Sequence, residues 1–180
     1  MRKVALVLFV VIVATVFGAG VARASGYVPQ STIHCRGGQC SGTNGSDTLI
    51  GTSGRDVIYA FRNRDTVRGA GGSDELYGDP GRDMVVGGTG NDEIDGGSGA
   101  DRLYGGPGID DIYGGFQNDV IVGGPGPDTL YGGNGNDTID AKDGVSDIVD
   151  CGYGTGDVAV VDRGIDHVSG DCEKIYFQTR

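Results

Sequence analysis

The segment GGTGNDEIDGGSGADRLY, residues 87–104, consists of two consecutive nine-residue units built on one plan. Each unit opens with two glycines, has an aspartate at its sixth position and an aliphatic residue at its eighth. Asp92 and Ile94 occupy these positions in the first unit, and Asp101 and Leu103 in the second. A turn, an acid and one apolar residue that return every nine positions are typical of repeat architectures, in which each unit stacks on its neighbours.

The same unit continues in both directions from this segment. Starting at Gly42, eleven nonamers follow one another without a gap and end at Asp140. Glycine occupies the first position in ten units and the fourth in nine, and the eighth position is Leu, Ile or Val in all eleven. The sixth position is aspartate in every unit: Asp47, Asp56, Asp65, Asp74, Asp83, Asp92, Asp101, Asp110, Asp119, Asp128 and Asp137.

Each position of the unit has a physical reason. Glycine adopts the positive-φ conformations of tight turns and lets backbones approach closely. The last three residues form a very short strand whose middle side chain points to one face. If two units make one coil, residues 18 apart stack at about 4.8 Å and the eleven units form a core about 26 Å long. The sequence predicts an all-β solenoid with two facing stacks of eighth-position residues: Leu49, Val67, Val85, Leu103, Ile121 and Ile139 in one sheet, and Ile58, Leu76, Ile94, Ile112 and Leu130 in the other.

The repeat resembles the nonapeptide G-G-x-G-x-D-x-U-x of the repeats-in-toxin (RTX) family, in which U is a large aliphatic residue. The resemblance covers residues 42–140 closely and the flanks more loosely. It implies a right-handed parallel β-roll that binds Ca²⁺ between turns two units apart, through the eleven aspartates and backbone carbonyls. Eleven units give 11 − 2 = 9 such slots, and therefore up to about nine ions.

The composition supports a requirement for cations. The chain of 180 residues contains 37 glycines and no tryptophan, and its formal net charge is −11. The repeat block alone carries 17 acids and 6 arginines. Such a chain has no electrostatic reason to bind nucleic acid, and with one buried aliphatic residue per unit we expect it to be largely disordered without a metal. Turn capping is the alternative role for the aspartates, but it would not require an aspartate in every unit.

Two units depart from the pattern, and both are odd-numbered. The third has Asn63 in place of glycine and carries Arg62 and Arg64, and the ninth has Gln117 in place of glycine. Odd-numbered units lie on one edge of the predicted roll. We therefore expect the edge built from the even-numbered units to bind Ca²⁺ more fully.

Residues 1–24 are predicted to be a secretory signal peptide. They comprise the basic start MRK, an apolar run over residues 4–22 and the pattern Ala22-Arg23-Ala24, which indicates cleavage after Ala24. The alternative is an uncleaved membrane anchor. No second apolar span follows, so we expect a soluble, secreted mature chain with 11 bases, 25 acids and a net charge of about −14.

The four cysteines flank the repeats and are predicted to form two disulfides. Of the three possible pairings the local ones, Cys35–Cys40 and Cys151–Cys172, are favoured; a zinc site is the alternative. Residues 25–41 are expected to cap the N-terminus, with 33–41 forming a half-coil, and residues 141–180 to contain degenerate repeats and a C-terminal cap. Asp147 and Asp157 lie out of register there and are assigned no metal.

The remaining patterns bear on partners and catalysis. The histidines, His34 and His167, lie in opposite flanks, and no nucleophile–base arrangement is present. The sequence thus predicts a non-enzymatic calcium-binding protein, with an extracellular adhesive or scaffolding module as the alternative. Such a module would bind a glycan or cell-surface partner through an outward ladder of ninth-position tyrosines, which otherwise only stiffens the sheet: Tyr59, Tyr77, Tyr113 and Tyr131, interrupted by Asp95.

Overall fold

The computed structural model describes residues 30–169 and 171–178, and in this part of the chain it contains strands and no helix. The predicted signal peptide, residues 1–24, lies outside the described residues. Within them, no helix is long and apolar enough to cross a membrane.

The strands alternate between two parallel sheets, so that each pair of consecutive strands makes one coil of a β-solenoid of about eight coils. One sheet has nine strands: β1 (Ser31–His34), β3 (Asp47–Ile50), β5 (Thr66–Gly71), β7 (Met84–Thr89), β9 (Arg102–Tyr104), β11 (Val120–Val122), β13 (Thr138–Asp140), β15 (Val158–Asp162) and β17 (Lys174–Gln178). The other has eight: β2 (Gly38–Ser41), β4 (Asp56–Tyr59), β6 (Glu75–Tyr77), β8 (Glu93–Asp95), β10 (Asp111–Phe116), β12 (Thr129–Asn134), β14 (Ile148–Asp150) and β16 (His167–Val168).

The register confirms the predicted stacking at intervals of 18 residues. Leu49 pairs with Val67 in the nine-stranded sheet, and Ile58 pairs with Leu76 in the eight-stranded sheet. All eleven eighth-position residues are fully buried and form the core together with Ala60, Ala141, Val149, Cys151, Ala159 and Val161. One side chain from each sheet spans the core at every coil, which is why a single aliphatic residue per unit is sufficient.

The N-terminal segment contributes a whole coil, which corrects the expected half-coil. Strand β1 pairs with β3 and strand β2 pairs with β4, so that Ile33 and Cys40 extend the two core stacks by one residue each. The Cys35–Cys40 disulfide, with Cα atoms 5.6 Å apart, joins the two strands at this end of the core. Strand β1 was not predicted because its residues, STIH, carry neither the glycines nor the aspartate of the repeat.

The C-terminal segment continues the solenoid beyond the regular repeats. Val149 pairs with Leu130 and Ala159 pairs with Ile139, although each lies 19 or 20 residues after its partner instead of 18. The extra residues are taken up in the turns, which leaves the strand register intact. The second disulfide, Cys151–Cys172, has Cα atoms 5.2 Å apart and ties the last coils together.

Candidate metal centre

The sixth-position aspartates line up in two ladders, one along each edge of the solenoid. All eleven are buried, with at most 2% of their surface exposed. In each ladder the backbone N–H of one aspartate donates to Oδ1 of the aspartate two units later, as Asp74 does to Asp92 (2.9 Å) and Asp92 to Asp110 (2.8 Å). This bond fixes Oδ1 of the accepting aspartate and orients Oδ2 into the turn; Asp56 is the exception, because its Oδ1 has no partner.

Both ladders extend further than the sequence indicated. Asp128 donates to Asp147 Oδ1 (2.8 Å) and Asp137 donates to Asp157 Oδ1 (2.7 Å), and both acceptors are buried. The ladders then end on Asp166 and Glu173. Counted in nines, Asp147 and Asp157 are out of register and are assigned no metal, whereas the local triplet of aspartate, any residue and a small or branched apolar residue places both in the ladders.

The second oxygen of most ladder aspartates has no hydrogen-bond partner. Leaving a buried acceptor unsatisfied costs about 1–3 kcal/mol, and more when the group is charged. Native proteins therefore seldom leave such atoms unpaired without a ligand, ion or water to meet them. The unpartnered Oδ2 atoms among the described residues belong to Asp65, Asp74, Asp83, Asp92, Asp101, Asp110, Asp119, Asp128, Asp137, Asp147 and Asp157.

The first two units differ from the rest in this respect. Asp47 Oδ2 accepts hydrogen bonds from the backbone N–H (2.6 Å) and hydroxyl (2.7 Å) of Thr43. Asp56 Oδ2 accepts the same pair from Thr52, at 2.6 and 2.9 Å. Threonine occupies the second position only in these units; from the third unit on, the residue there has positive φ, as in Gly88 (119°). The hydroxyl thus satisfies the carboxylate within its own turn, although Asp56 Oδ1 remains unpartnered.

Backbone carbonyls of neighbouring coils surround these carboxylates. A Cβ atom placed on Gly96 would lie 2.6 Å from the carbonyl oxygen of Gly114 and 3.0 Å from Asp101 Oδ2. Glycine at this position leaves room for such a convergence of oxygens. In the described part of the chain no three His, Cys, Asp or Glu side chains come together as a metal site, so a cation in these turns has to take much of its coordination from the backbone.

The electrostatics of the ladders favour a divalent cation. Burial first, and then the charges of facing aspartates on the same edge, raise the pKa of Asp83 and Asp119 to about 8 and that of Asp110 to about 7. A positive ion beside Oδ2 would reverse both effects. Calcium accepts six to eight oxygens, including carbonyls, in flexible geometry, whereas magnesium keeps its waters and requires an octahedron. The donor set therefore fits Ca²⁺.

The two irregular units keep the course of the turn. Asn63 and Gln117 adopt positive φ values of 82° and 74°, as a glycine would. Asn63 also donates its backbone N–H to the carbonyl of Pro80 (3.0 Å), as Gly81 does to Ser98 (2.8 Å). The backbone carbonyls of these turns are therefore in place. Weaker Ca²⁺ binding along the edge of the odd-numbered units stays a prediction, which rests on the positive-φ strain of Asn63 and Gln117 and on the charges of Arg62 and Arg64.

The other predicted residues lie away from the ladders. The tyrosines form two stacked pairs, Tyr59–Tyr77 and Tyr113–Tyr131, with ring centroids 4.8 and 5.0 Å apart. Asp95 separates the pairs by its position in the register. His34 and His167 lie on strands at opposite ends of the solenoid and are not brought together.

Comparison with known proteins agrees with this geometry. No curated protein matches the chain significantly. The family model of the RTX calcium-binding nonapeptide repeat matches residues 41–76, 77–112 and 113–146, which is more than half of the chain. Because the matched residues form the coils that carry the aspartate ladders, the chain belongs to the RTX calcium-binding nonapeptide repeat family.

Proposed function

We propose that this protein is a secreted, non-enzymatic calcium-binding protein whose repeats fold when they bind Ca²⁺. One observation carries the proposal: rows of buried carboxylate oxygens without partners lie beside converging backbone carbonyls. Without a cation these oxygens destabilise the fold. With Ca²⁺ bound they become ligands, and the same residues then stabilise it.

The unpartnered oxygens also indicate where the ions belong. Seven slots join units 3–11, since nine units give 9 − 2 = 7 pairs two units apart. Two more join the tenth and eleventh units to the turns of Asp147 and Asp157, for a total of nine. The number of expected ions is therefore still nine, but the proposed sites lie further towards the C-terminus. Asp47 and Asp56 are assigned no ion, because their Oδ2 atoms accept hydrogen bonds from Thr43 and Thr52.

Three features support secretion. Residues 1–24 have the pattern of a signal peptide. The two disulfides form readily in an oxidising compartment. Extracellular calcium modules work with affinities of about 10⁻⁴–10⁻³ M, and sites of this strength are filled only where calcium is abundant. We place the N-terminal cap at residues 25–41, the regular roll at 42–140 and the degenerate coils with the C-terminal cap at 141–180.

Calorimetric titration of residues 25–180 with Ca²⁺ tests the proposal directly. We expect saturable uptake of several ions per chain, accompanied by a rise in the far-UV β signal. Mg²⁺ at the same concentration serves as the control and should produce neither effect. A chain that takes up no Ca²⁺ in the millimolar range would refute the proposed function.

A further inference from the structure

A pocket lies on the outer face of the eight-stranded sheet, where Asp95 interrupts the tyrosine ladder. Tyr77, Asp95 and Tyr113 are in register on the adjacent strands β6, β8 and β10. The pocket has a volume of about 470 Å³, and its principal lining residues are Asp79, Pro80, Asp95, Ser98, Tyr113 and Phe116. The pocket contains no ladder aspartate, but Asp79, Pro80, Ser98 and Phe116 belong to the turns of the fifth, seventh and ninth units, so it lies beside turns assigned to calcium.

The walls of the pocket are aromatic and accessible. Tyr113 is 40% exposed and Phe116 is 60% exposed. Within each stacked tyrosine pair the rings follow the strand spacing, at 4.8 and 5.0 Å. A group placed above Asp95 would therefore lie one strand spacing, about 4.8 Å, from both Tyr77 and Tyr113. That separation is within the roughly 6 Å over which a cation is attracted to an aromatic face.

The floor of the pocket is acidic. Asp95 is half-buried, accepts a hydrogen bond from the backbone N–H of Gly97 and lies close enough to Asp79 for their charges to interact. In the part of the chain that the structure describes, the one ion pair joins Arg55 to Glu75. No basic side chain among these residues therefore neutralises Asp79 or Asp95.

The combination of rings and acids selects the class of ligand. A neutral sugar ring would stack on the aromatic residues but leave two neighbouring carboxylates uncompensated. A metal ion would bind the carboxylates but make no use of the rings. An organic cation satisfies both, because ring faces and carboxylates both attract positive charge.

A further feature of the same face points to a polypeptide as the carrier of that cation. Glu75, Glu93 and Asp111 are in register on β6, β8 and β10 and form an acidic row beside the tyrosine ladder. Successive members lie one strand spacing apart, about 4.8 Å. Glu75 is already paired with Arg55, so Glu93 and Asp111 are the positions at which the row can attract further positive charge.

We propose that this pocket binds an arginine or lysine side chain of a basic polypeptide, with the cation above Asp95, against Tyr113 and one strand spacing from Tyr77 on the adjacent strand. Phe116 covers the alkyl stem of the bound side chain, and the acidic row attracts the flanking basic residues. The inference uses none of the ladder aspartates, but it requires the folded roll, because the pocket is formed in part by turns of the repeat.

The test uses residues 25–180 folded in saturating Ca²⁺ and a short peptide of alternating glycine and arginine as the probe. Binding is measured by calorimetry and by the ring proton shifts of the tyrosines. The variant Asp95→Asn removes the charge from the floor of the pocket and should weaken binding about tenfold. The control is Asp140→Asn. Asp140 is also half-buried and also occupies the ninth position of its unit, but it lies on the other sheet. It accepts a hydrogen bond from the backbone N–H of Lys142, two residues later, as Asp95 does from Gly97.

The proposal requires Asp140→Asn to change the affinity less than twofold. Equal losses for the two variants would show general attraction to an acidic chain and would overturn it, as would a neutral oligosaccharide that binds as tightly as the peptide. Phe116→Ser, at an exposed position, is the second variant if Asp95→Asn loses its β signal. This variant should bind the peptide several-fold more weakly, because the Phe116 ring no longer packs on the alkyl stem of the bound side chain. Unchanged affinity in this variant would also contradict the proposal.

Discussion

At the scale of single residues, one carboxylate oxygen decides whether a turn needs a metal. Oδ1 of nearly every ladder aspartate accepts a hydrogen bond from a backbone N–H of the neighbouring coil. Oδ2 is satisfied by Thr43 and Thr52 in the first two units and is unpartnered from the third unit on. A threonine in the second position of a unit therefore satisfies Oδ2 by hydrogen bonding, whereas in the other units we assign that role to Ca²⁺.

Replacing Asp92 by asparagine should impair calcium-dependent folding more than the same change at Asp65. Asn keeps an acceptor for the neighbouring N–H but removes the charge that binds the ion. Asp92 serves two slots whose turns keep the first and fourth glycines of the repeat, and its loss should cost about 1–3 kcal/mol of calcium-dependent stability. The unit of Asp65 carries the exposed Arg62 and Arg64, which repel cations. Circular dichroism during a Ca²⁺ titration measures both variants, and equal shifts of the midpoint would reject the difference between the edges.

Replacing Asp56 by alanine should leave the calcium midpoint nearly unchanged. Asp56 Oδ2 accepts two hydrogen bonds from Thr52, and alanine has no side-chain oxygen to accept them. The variant should therefore lose about 1–2 kcal/mol of stability even at saturating Ca²⁺. Thermal melts at several calcium concentrations separate the two effects. A large shift of the midpoint, as in Asp92→Asn, would show that Asp56 is a calcium ligand after all.

At the scale of strands and turns, the sequence predicted what repeats and missed what does not. The period of nine and the aliphatic eighth position determined the strands, the register and both core stacks, because in a parallel solenoid these depend on one spacing. Strand β1 was not predicted because it pairs in register with β3 but lacks the glycines and the aspartate that mark the repeat. Asp147 and Asp157 are recognisable as out of register but not as ladder members, because residues inserted in a turn change the count but not the strand that follows.

The ladders should make the metal-free protein more ordered in acid than at neutral pH. Folding raises the pKa of Asp83 and Asp119 from 3.8 to about 8, and that of Asp74 and Asp101 to about 6. Because the folded values are the higher ones, protonation stabilises the roll. This contribution is complete below a pH of about 4 and is lost as the pH rises through about 6 to 8.

Far-UV circular dichroism in EGTA between pH 4.5 and 7.5 checks this expectation, and the β signal should fall as the pH rises. In the presence of Ca²⁺ the trend should reverse, because protons compete with the metal and the calcium midpoint rises as the pH falls. A metal-free sample with more β structure at pH 7.5 than at pH 4.5 would be inconsistent with buried ladder carboxylates.

At the scale of the whole molecule, the solenoid is a stack in which each coil contacts only its neighbours. Stability in such a stack is a sum of coil and interface contributions, and the ends need caps. One disulfide closes each end of the core, Cys35–Cys40 at the first coil and Cys151–Cys172 at the last coils. The calcium-dependent turns thus lie between two covalently fixed ends.

Removing the C-terminal disulfide should cost more stability than removing the N-terminal one. The Cys151–Cys172 bond closes a separation of 21 residues and Cys35–Cys40 one of 5. Loop-closure entropy then gives about 3 kcal/mol for the first and about 2 kcal/mol for the second. Thermal melts of the two paired serine variants in saturating Ca²⁺ provide the comparison, and the opposite order would indicate that the N-terminal coil holds the stack together.

Whether Ca²⁺ completes this fold can be measured by comparing residues 25–180 at neutral pH in excess EGTA and in millimolar Ca²⁺. Far-UV circular dichroism and small-angle X-ray scattering together report the β content and the size of the chain. We predict a largely disordered, expanded chain in EGTA that becomes a compact β-rich rod on addition of Ca²⁺. Full β signal and compact dimensions in EGTA would contradict the claim that Ca²⁺ completes this fold.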